Sequence, residues 1–369
     1  PEVLEHLSKI QAECFGNPSS VHPIGVSASR LIEDSRKTLA KVFQVPLAGV
    51  IFCGSGTESD NLAIKGVIEA NPSQSKQIIT TKLEHAAVLN TCDWLANKND
   101  ISLEYVRINA SSGQIDLDHL SQLVSDQTTL VSIQHVNSET GVIQDLAAIS
   151  ELVKSKNTST VLHSDGVQGF TRVPVDLKKL GVDLYSISAH KFHGIKGAGA
   201  LIMSRNVKLA PIIHGGGQEN GFRSGTENVL AISAMAKAIE VAYRDMEDNS
   251  GAVRSFCKQF KDSLKKNLAD IRLEEHENAV PHIISLSVPG VLGEVLLHHL
   301  AKNGICVSTG SACNATSKKL SGVLTELGFS KEKIMQTIRI SLAASEIPEN
   351  WNDFFEKFAC TVKELQAML

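Results

Sequence analysis

The residues best suited to chemistry sit in short polar clusters, and the first is S-I-S-A-H-K at 186–191. A lysine directly after a strand-like run, with Gly194, Gly197 and Gly199 following, can reach into a cleft. The Lys191 amine can form a Schiff base with an aldehyde cofactor such as pyridoxal phosphate. The plainer reading is a surface lysine in a turn, because lysine is mostly exposed. A second cluster, H-S-D-G-V-Q at 163–168, puts the Asp165 carboxylate at a strand end. There it can pair with a protonated pyridine nitrogen and keep the ring an electron sink, while Gln168 donates to the ring's phenolic oxygen. Alternatively, Asp165 simply caps the next helix. A third cluster, G-S-G-T-E-S at 54–59, joins a strand to a helix. Its backbone N–H groups around Gly56 and the Thr57 hydroxyl would meet a phosphate at a helix N-terminus. A capping box from Ser55 or Thr57 is compatible with that role.

Other clusters add candidates. His85, in E-H-A-A-V at 84–88, can stack on an aromatic cofactor and move protons near neutral pH, or be purely structural. Cys313 ends V-S-T-G-S-A-C at 307–313. Its small polar neighbours argue against burial and for an accessible nucleophilic thiol, with a loop cysteine of no role as the plainer reading, whereas Cys306 reads as core on a predicted strand. The run G-G-G-Q-E-N-G-F-R-S-G-T-E-N at 215–228 suits close backbone approach to a ligand or partner. Within it, Arg223 and Thr226 can contact phosphate, across a subunit interface if the chain pairs. Arg339 is a candidate two-pronged clamp for a substrate carboxylate, or a surface residue on an edge strand.

Elements that position these residues are legible in the hydrophobic pattern. Short Val/Ile-rich runs alternate with amphipathic stretches, the mark of an α/β fold with a mostly parallel sheet. Strands are predicted at 49–53, 77–81, 103–107, 129–134, 159–163, 183–188 and 199–203, and helices at 58–70, 86–96, 117–125, 145–156 and 227–245. The polar stretch E-D-N-S-G at 247–251 reads as a linker. It separates a large domain, 1–247, from a smaller α+β domain, 248–369. The latter holds a helix at 252–268, strands near 283–288, 304–307 and 337–341, and a closing helix at 349–368. Thr57, His85, Asn137, Asp165, Gln168, His190 and Lys191 all fall just after predicted strands. Ligands of open α/β sheets bind at such carboxyl ends, which implies one shared site.

Composition removes other classes. With 36 basic against 40 acidic residues the chain is mildly acidic, which gives no electrostatic footprint for nucleic acid. No apolar run has the roughly 20 residues needed to span a bilayer, and no signal-peptide pattern opens the chain. Seven cysteines without a C-x-x-C pair argue against a disulfide framework or zinc site and for a reducing compartment. The start at Pro1, inside a helix-like stretch, suggests a missing N-terminal piece, in which a transit peptide to an organelle would be lost. Otherwise a cytoplasmic setting is expected.

Taken together, the chain resembles the NifS-like cysteine desulfurases among the fold-type-I pyridoxal-phosphate enzymes. The matching motifs are G-N-P-S-S-x-H (16–22), G-T-E-S-D-N-L-A-I-K-G (56–66), E-H-x-A-V-L (84–89), H-V-N-x-E-T-G (135–141), S-A-H-K-x-x-G-x-K-G (188–197), G-G-G-Q-E-x-G-x-R-S-G-T-E-N (215–228) and S-x-G-S-A-C (308–313). They span nearly the whole chain in the family's order. The long stretch from Gly310 to Leu324 is similar to the housekeeping subgroup that supplies sulfur for iron–sulfur clusters. The resemblance implies a large domain with a mostly parallel seven-stranded sheet plus a smaller domain carrying the cysteine loop. It implies Lys191 as the Schiff-base lysine, His85 stacked on the ring, Asp165 on its nitrogen and Gln168 on its oxygen. Gly56, Thr57, Ser188 and His190 would bind phosphate, with Thr226 reaching over from the other subunit of a homodimer. Arg339, Asn137 and Ser138 would contact substrate, and Cys313 would take sulfur from L-cysteine as a persulfide for an acceptor or scaffold protein. No metal is implied.

Three departures mark a divergent member. Ser138 stands where the family usually has Asn, the phosphate turn reads C-G-S-G-T rather than T-S-G-x-T, and Ile195 replaces a common Pro. Selenocysteine lyase, aminotransfer and a non-catalytic cofactor-binding scaffold stay open beside the desulfurase at this point.

Overall fold

A computed structural model describes residues 1–12, 14–71, 76–98, 101–309 and 320–368. It divides into two compact units. One comprises Pro1–Arg107, Ile115–Val136 and Gln144–Asp245; the other comprises Ile108–Gln114, Asn137–Ile143 and Met246–Leu369.

The first unit runs α1 (Glu2–Gln11), α2 (Pro23–Phe43), β1 (Val50–Cys53), α3 (Gly56–Glu69), β2 (Lys76–Thr80), α4 (Ala86–Lys98), β3 (Ile101–Tyr105), α5 (Leu117–Leu123), β4 (Thr128–Ser132), α6 (Leu146–Lys156), β5 (Val161–Asp165), α7 (Leu177–Leu180), β6 (Leu184–Ser188), β7 (Gly199–Met203) and α8 (Val229–Arg244). Among the described residues the strands form a seven-stranded sheet in the order β1-β7-β6-β5-β4-β2-β3. β7 is antiparallel to both of its neighbours, and the pairs among β2 to β6 are parallel. Buried strands lined by helices need apolar residues on both faces, and β4, β5, β6 and β7 are buried throughout. One face packs Leu62, Ala63 and Val67 of α3 against Ile78, Leu130, Leu184 and Leu201. Elsewhere Phe43 of α2 stacks on Phe170 at 4.7 Å, and Phe170 meets Phe192 edge-on at 5.2 Å.

The outer edge of β1 is closed by charge. Arg36 donates to the Val50 carbonyl at 2.6 Å and pairs with Glu219 at 2.8 Å, while Glu219 accepts the Phe52 N–H at 2.8 Å. The open ladder positions of an edge strand are thereby satisfied. The α2 helix was not among the predicted stretches. His22 caps it by accepting the Gly25 N–H, Pro23 opens it, and Ala28, Ile32, Leu39 and Phe43 are its buried stripe.

The second unit contains α9 (Met246–Asn267), β8 (Arg272–Glu274), β9 (Ile283–Ser287), α10 (Gly293–Lys302), β10 (Ser308–Thr309), α11 (Gly322–Glu326), α12 (Lys331–Met335), β11 (Thr337–Ser341) and α13 (Trp351–Ala367). Its described strands form an antiparallel sheet in the order β10-β11-β9-β8. Phe256 and Phe260 of α9, Leu286, Leu296, Ile338 and Phe358 form its core.

Two expectations are corrected here. The stretch 247–251 is not a linker but the first turns of α9, where Glu247 and Asp248 suit the positive end of the helix dipole. Its polar composition belongs to the exposed side of a helix that buries Val253, Phe256, Cys257, Phe260 and Leu264. Residues 304–307 do not form a strand, and Cys306 is exposed. Gly304, at φ +76°, closes α10, with the Ile305 N–H bonded back to the Leu300 carbonyl, so pairing begins only at Ser308. Ile305 and Val307 turn toward the core, and Cys306 between them faces outward.

Candidate functional site

In the first unit, three elements bring predicted site residues together. At the N-terminus of α3, the Ser55 hydroxyl accepts the Glu58 N–H at 3.1 Å, and the Glu58 carboxylate accepts the Gly54 N–H at 3.0 Å. Arg223 holds Glu58 from the other side at 2.7 Å. The altered phosphate turn is therefore a well-capped helix start, and Ser55 is its cap rather than Thr57. The first-turn N–H groups of a helix have no intrahelical partner, so those of Gly56 and Thr57 are of the kind that can receive an anion. A Cβ at Gly56 would lie 2.7 Å from Val167 Cγ2 and 3.2 Å from Ser188 Cβ. The helix thus starts hard against the turn after β5 and the end of β6.

Asp165 closes β5. It is buried, and one carboxylate oxygen accepts the Val167 N–H at 2.9 Å. Burial raises its pKa, while the Val167 N–H and the charges of His85 and Lys191 act against that rise. Gln168 follows in the same turn, half-buried.

Ser188 ends β6, and its hydroxyl lies 3.0 Å from His190 Nδ1. His190 and Lys191 sit exposed in the 3-10 turn Ala189–Phe192, which closes at His193 in the left-handed region. Burial, Lys191 and Lys196 all lower the His190 pKa, which favours the neutral imidazole. His85 is exposed just before α4, its Nδ1 accepting the Ala87 N–H at 3.1 Å. Thr226 is exposed before α8, beside a cavity of about 300 Å³ lined by Phe15, Gly16 and Asn17.

The remaining candidates belong to the second unit. Asn137 is buried, and its Oδ1 accepts the N–H groups of Glu139 and Thr140, both at 2.9 Å. Arg339 of β11 donates to the Ser138 carbonyl at 2.9 Å. That contact uses backbone, so it does not need the family's usual Asn side chain. Among the described residues, Arg339 Nε is buried without a hydrogen-bond partner. Cys313 lies outside the described residues.

Residues 1–351 match the family described as Aminotransferase class-V. The chain belongs to this family. The cysteine desulfurase IscS of Dictyoglomus turgidum is 38% identical over 368 residues, covering 100% of this chain and 92% of that protein. That of Methanosarcina thermophila is 38% identical over 372 residues, covering 100% and 90%. A solved NifS-like protein superposes with a TM-score of 0.90 at 34% identity, covering 100% of this chain and 96% of that one. The structure described as "SspA in complex with cysteine" gives 0.81 at 30% identity, covering 92% and 94%.

Class-V aminotransferases are pyridoxal-phosphate enzymes, and the residues present fit that group. A buried carboxylate suits a cationic ring nitrogen, and a capped helix start beside a Ser–His pair suits a phosphate. Lys191 follows that pair in the same turn, and its charge is felt at Asp165.

Sequence reasoning missed a polar layer behind Asp165. His163, fully buried, lies 2.8 Å from Ser132 Oγ and 3.1 Å from Ser186 Oγ. Ser59 of α3 lies 2.8 Å from Ser186 Oγ, and Asp60 is buried beside them. The signal was available: Ser59 and Asp60 interrupt the apolar face of an otherwise core-packed helix.

Proposed function

We propose that the chain is a cysteine desulfurase that converts L-cysteine to L-alanine and receives the sulfur on Cys313. The observation that carries the reading is the buried Asp165 carboxylate at the end of β5, flanked by the α3 helix start and the Lys191 turn. When bound, pyridoxal phosphate supplies an electron-withdrawing ring that acidifies the substrate α-carbon. Thr57, Gly56, Ser188 and His190 hold its phosphate. Asp165 and Gln168 orient the ring, and His85 covers one face. Lys191 would hold the cofactor at rest and would move the proton at the substrate α-carbon, with His85 as the second candidate base.

Arg339 orients the substrate carboxylate with its fork of donors, and Asn137 and Ser138 line that side. The Cys313 thiolate attacks the substrate sulfur. An S–S bond forms as the Cβ–S bond breaks, the electron pair stays on Cβ, and a proton completes the methyl group of alanine. The persulfide sulfur then passes to an acceptor protein, such as one that assembles iron–sulfur clusters. Thr226 reaches the phosphate of the partner subunit in a homodimer. A reducing, cytoplasmic setting suits a chain that needs a free thiol. No helix among the described residues is long and apolar enough to cross a membrane.

The test is to incubate the purified, cofactor-loaded protein with L-cysteine and a thiol reductant and to measure alanine and sulfide together. Equal yields, lost in Cys313→Ala while the cofactor stays bound, are expected. Alanine formed without sulfide, or turnover that survives the substitution, would sink the reading.

A further inference from the structure

The layer behind Asp165 holds more ionisable groups than the site itself uses. On β5, His163 and Asp165 are two residues apart and so share a face of the sheet. Ser186 on β6 stands in register with Asp165, and its hydroxyl lies against Ser59 and His163. Asp60 presses onto this group from α3. It is 1% exposed, and among the described residues its Oδ1 has no hydrogen-bond partner, lying 3.6 Å from His163 Nε2. Asp60 and Asp165 thus flank one serine, both out of water.

Two carboxylates so placed cannot both ionise cheaply, because each destabilises the other's charge and burial penalises both. The surroundings decide between them. Asp165 accepts a backbone N–H and feels the charges of His85 and Lys191. Asp60 has the Ser186 hydroxyl as its stabilising contact. The titratable groups around it are His163 and Asp165 on β5, Glu84 after β2 and Cys92 on α4. None offers it a cation. Burial holds His163 neutral, with a pKa lowered to about 3, and both of its nitrogens face serines. Burial likewise raises Glu84, whose Oε2 is unpartnered. A carboxylate takes up to four hydrogen bonds, and the hydroxyls here have one proton each, with Ser59 also reaching the Ala200 carbonyl at 3.0 Å. The donor count is too small for an anion at Asp60 and sufficient for an acid.

We propose that Asp60 is a positioning residue kept as a neutral carboxylic acid, so that Asp165 alone carries the negative charge presented to the cofactor's ring nitrogen. The inference rests on the reading of Asp165 given above. If the one charge the pair can hold cheaply moved to Asp60, Asp165 would become the neutral acid and lose its ion pair with the ring nitrogen.

Infrared spectroscopy of the whole protein at neutral pH, with aspartate 13C-labelled to separate it from Glu84, tests this directly. The wild type is expected to show a protonated-carboxyl C=O band that shifts with the label and vanishes in Asp60→Asn. In Asp165→Asn the competing charge is gone, so the Asp60 band should titrate away at lower pH than in the wild type. Cofactor titrations should also separate the two aspartates. Asp165→Asn should weaken pyridoxal phosphate binding by at least about tenfold, whereas Asp60→Asn should change it by less than about threefold. Absence of the band in the wild type, which would mean an imidazolium–carboxylate pair with His163, overturns the proposal. So does a band unmoved in folded Asp165→Asn. Binding of pyridoxal phosphate is scored separately by its visible absorbance, so failure of the cofactor reading is distinguishable from failure of this one.

Discussion

The two sheets hold their candidate site residues in different ways. At the carboxyl end of the large sheet, Asp165, Ser188 and His190 each have a partner fixed by backbone or by a neighbouring side chain. In the small sheet, Arg339 spends one N–H on the Ser138 carbonyl and, among the described residues, keeps Nε buried and unpartnered. A buried donor without an acceptor costs free energy, so its persistence points to an acceptor that arrives from outside. On the proposed reading, the first arrangement suits a resident cofactor, which must stay in one place. The second suits a substrate, which must come and go.

The most severe way to probe the first arrangement is Lys191→Ala. Loss of the proton-transferring amine should lower alanine formation by at least about 10³-fold, measured by amino-acid analysis, and cofactor should be lost on gel filtration. Wild-type rates in this variant would remove the site from the β6 turn altogether. Arg339→Ala probes the second arrangement and should behave differently. It should raise KM for L-cysteine by roughly thirtyfold, with a smaller change in kcat and no loss of cofactor, because the interaction removed is made in the ground state as well. Arg339→Lys, which keeps the charge but not the fork, should recover only part of the affinity. If Arg339→Ala instead released the cofactor, the division of labour between the two sheets would be wrong.

Much of this was legible because strand ends are. Gly56, Asp165 and Lys191 stand at or just beyond the ends of β1, β5 and β6, behind apolar runs that are buried strands. What the pattern misjudged has a physical cause in each case. Glu247 and Asp248 look like a linker because a helix start prefers the same acidic residues as a loop. Cys306 looks like core because its apolar neighbours alternate with it, and alternation gives the period without the phase. The Asp60–His163 layer was only half legible. Ser59 and Asp60 break the apolar face of α3, but Asp60 and His163 are more than a hundred residues apart, and only the packing of α3 on β5 and β6 brings them together.

The smallest expected effect lies beside Arg339. Glu139 accepts a hydrogen bond from the Ser321 hydroxyl at 2.6 Å, yet burial raises its pKa from 4.5 to about 6, against the pull of Ser321 and Arg339. A raised carboxyl favours the folded state while it is protonated. Its contribution is full below about pH 4.5 and is lost as pH rises through about 6. A shift of that size corresponds to roughly 2 kcal/mol. Glu139→Gln abolishes the titration, so relative to the wild type it should gain up to that amount between pH 4.5 and 7.5 in urea unfolding followed by tryptophan fluorescence. A wild-type-minus-variant difference that stays flat with pH would show that Glu139 is not held by burial. Arg339→Ala sharpens the point, because removing the cation should move the Glu139 midpoint further upward. An unchanged midpoint would mean that the two side chains do not share charge.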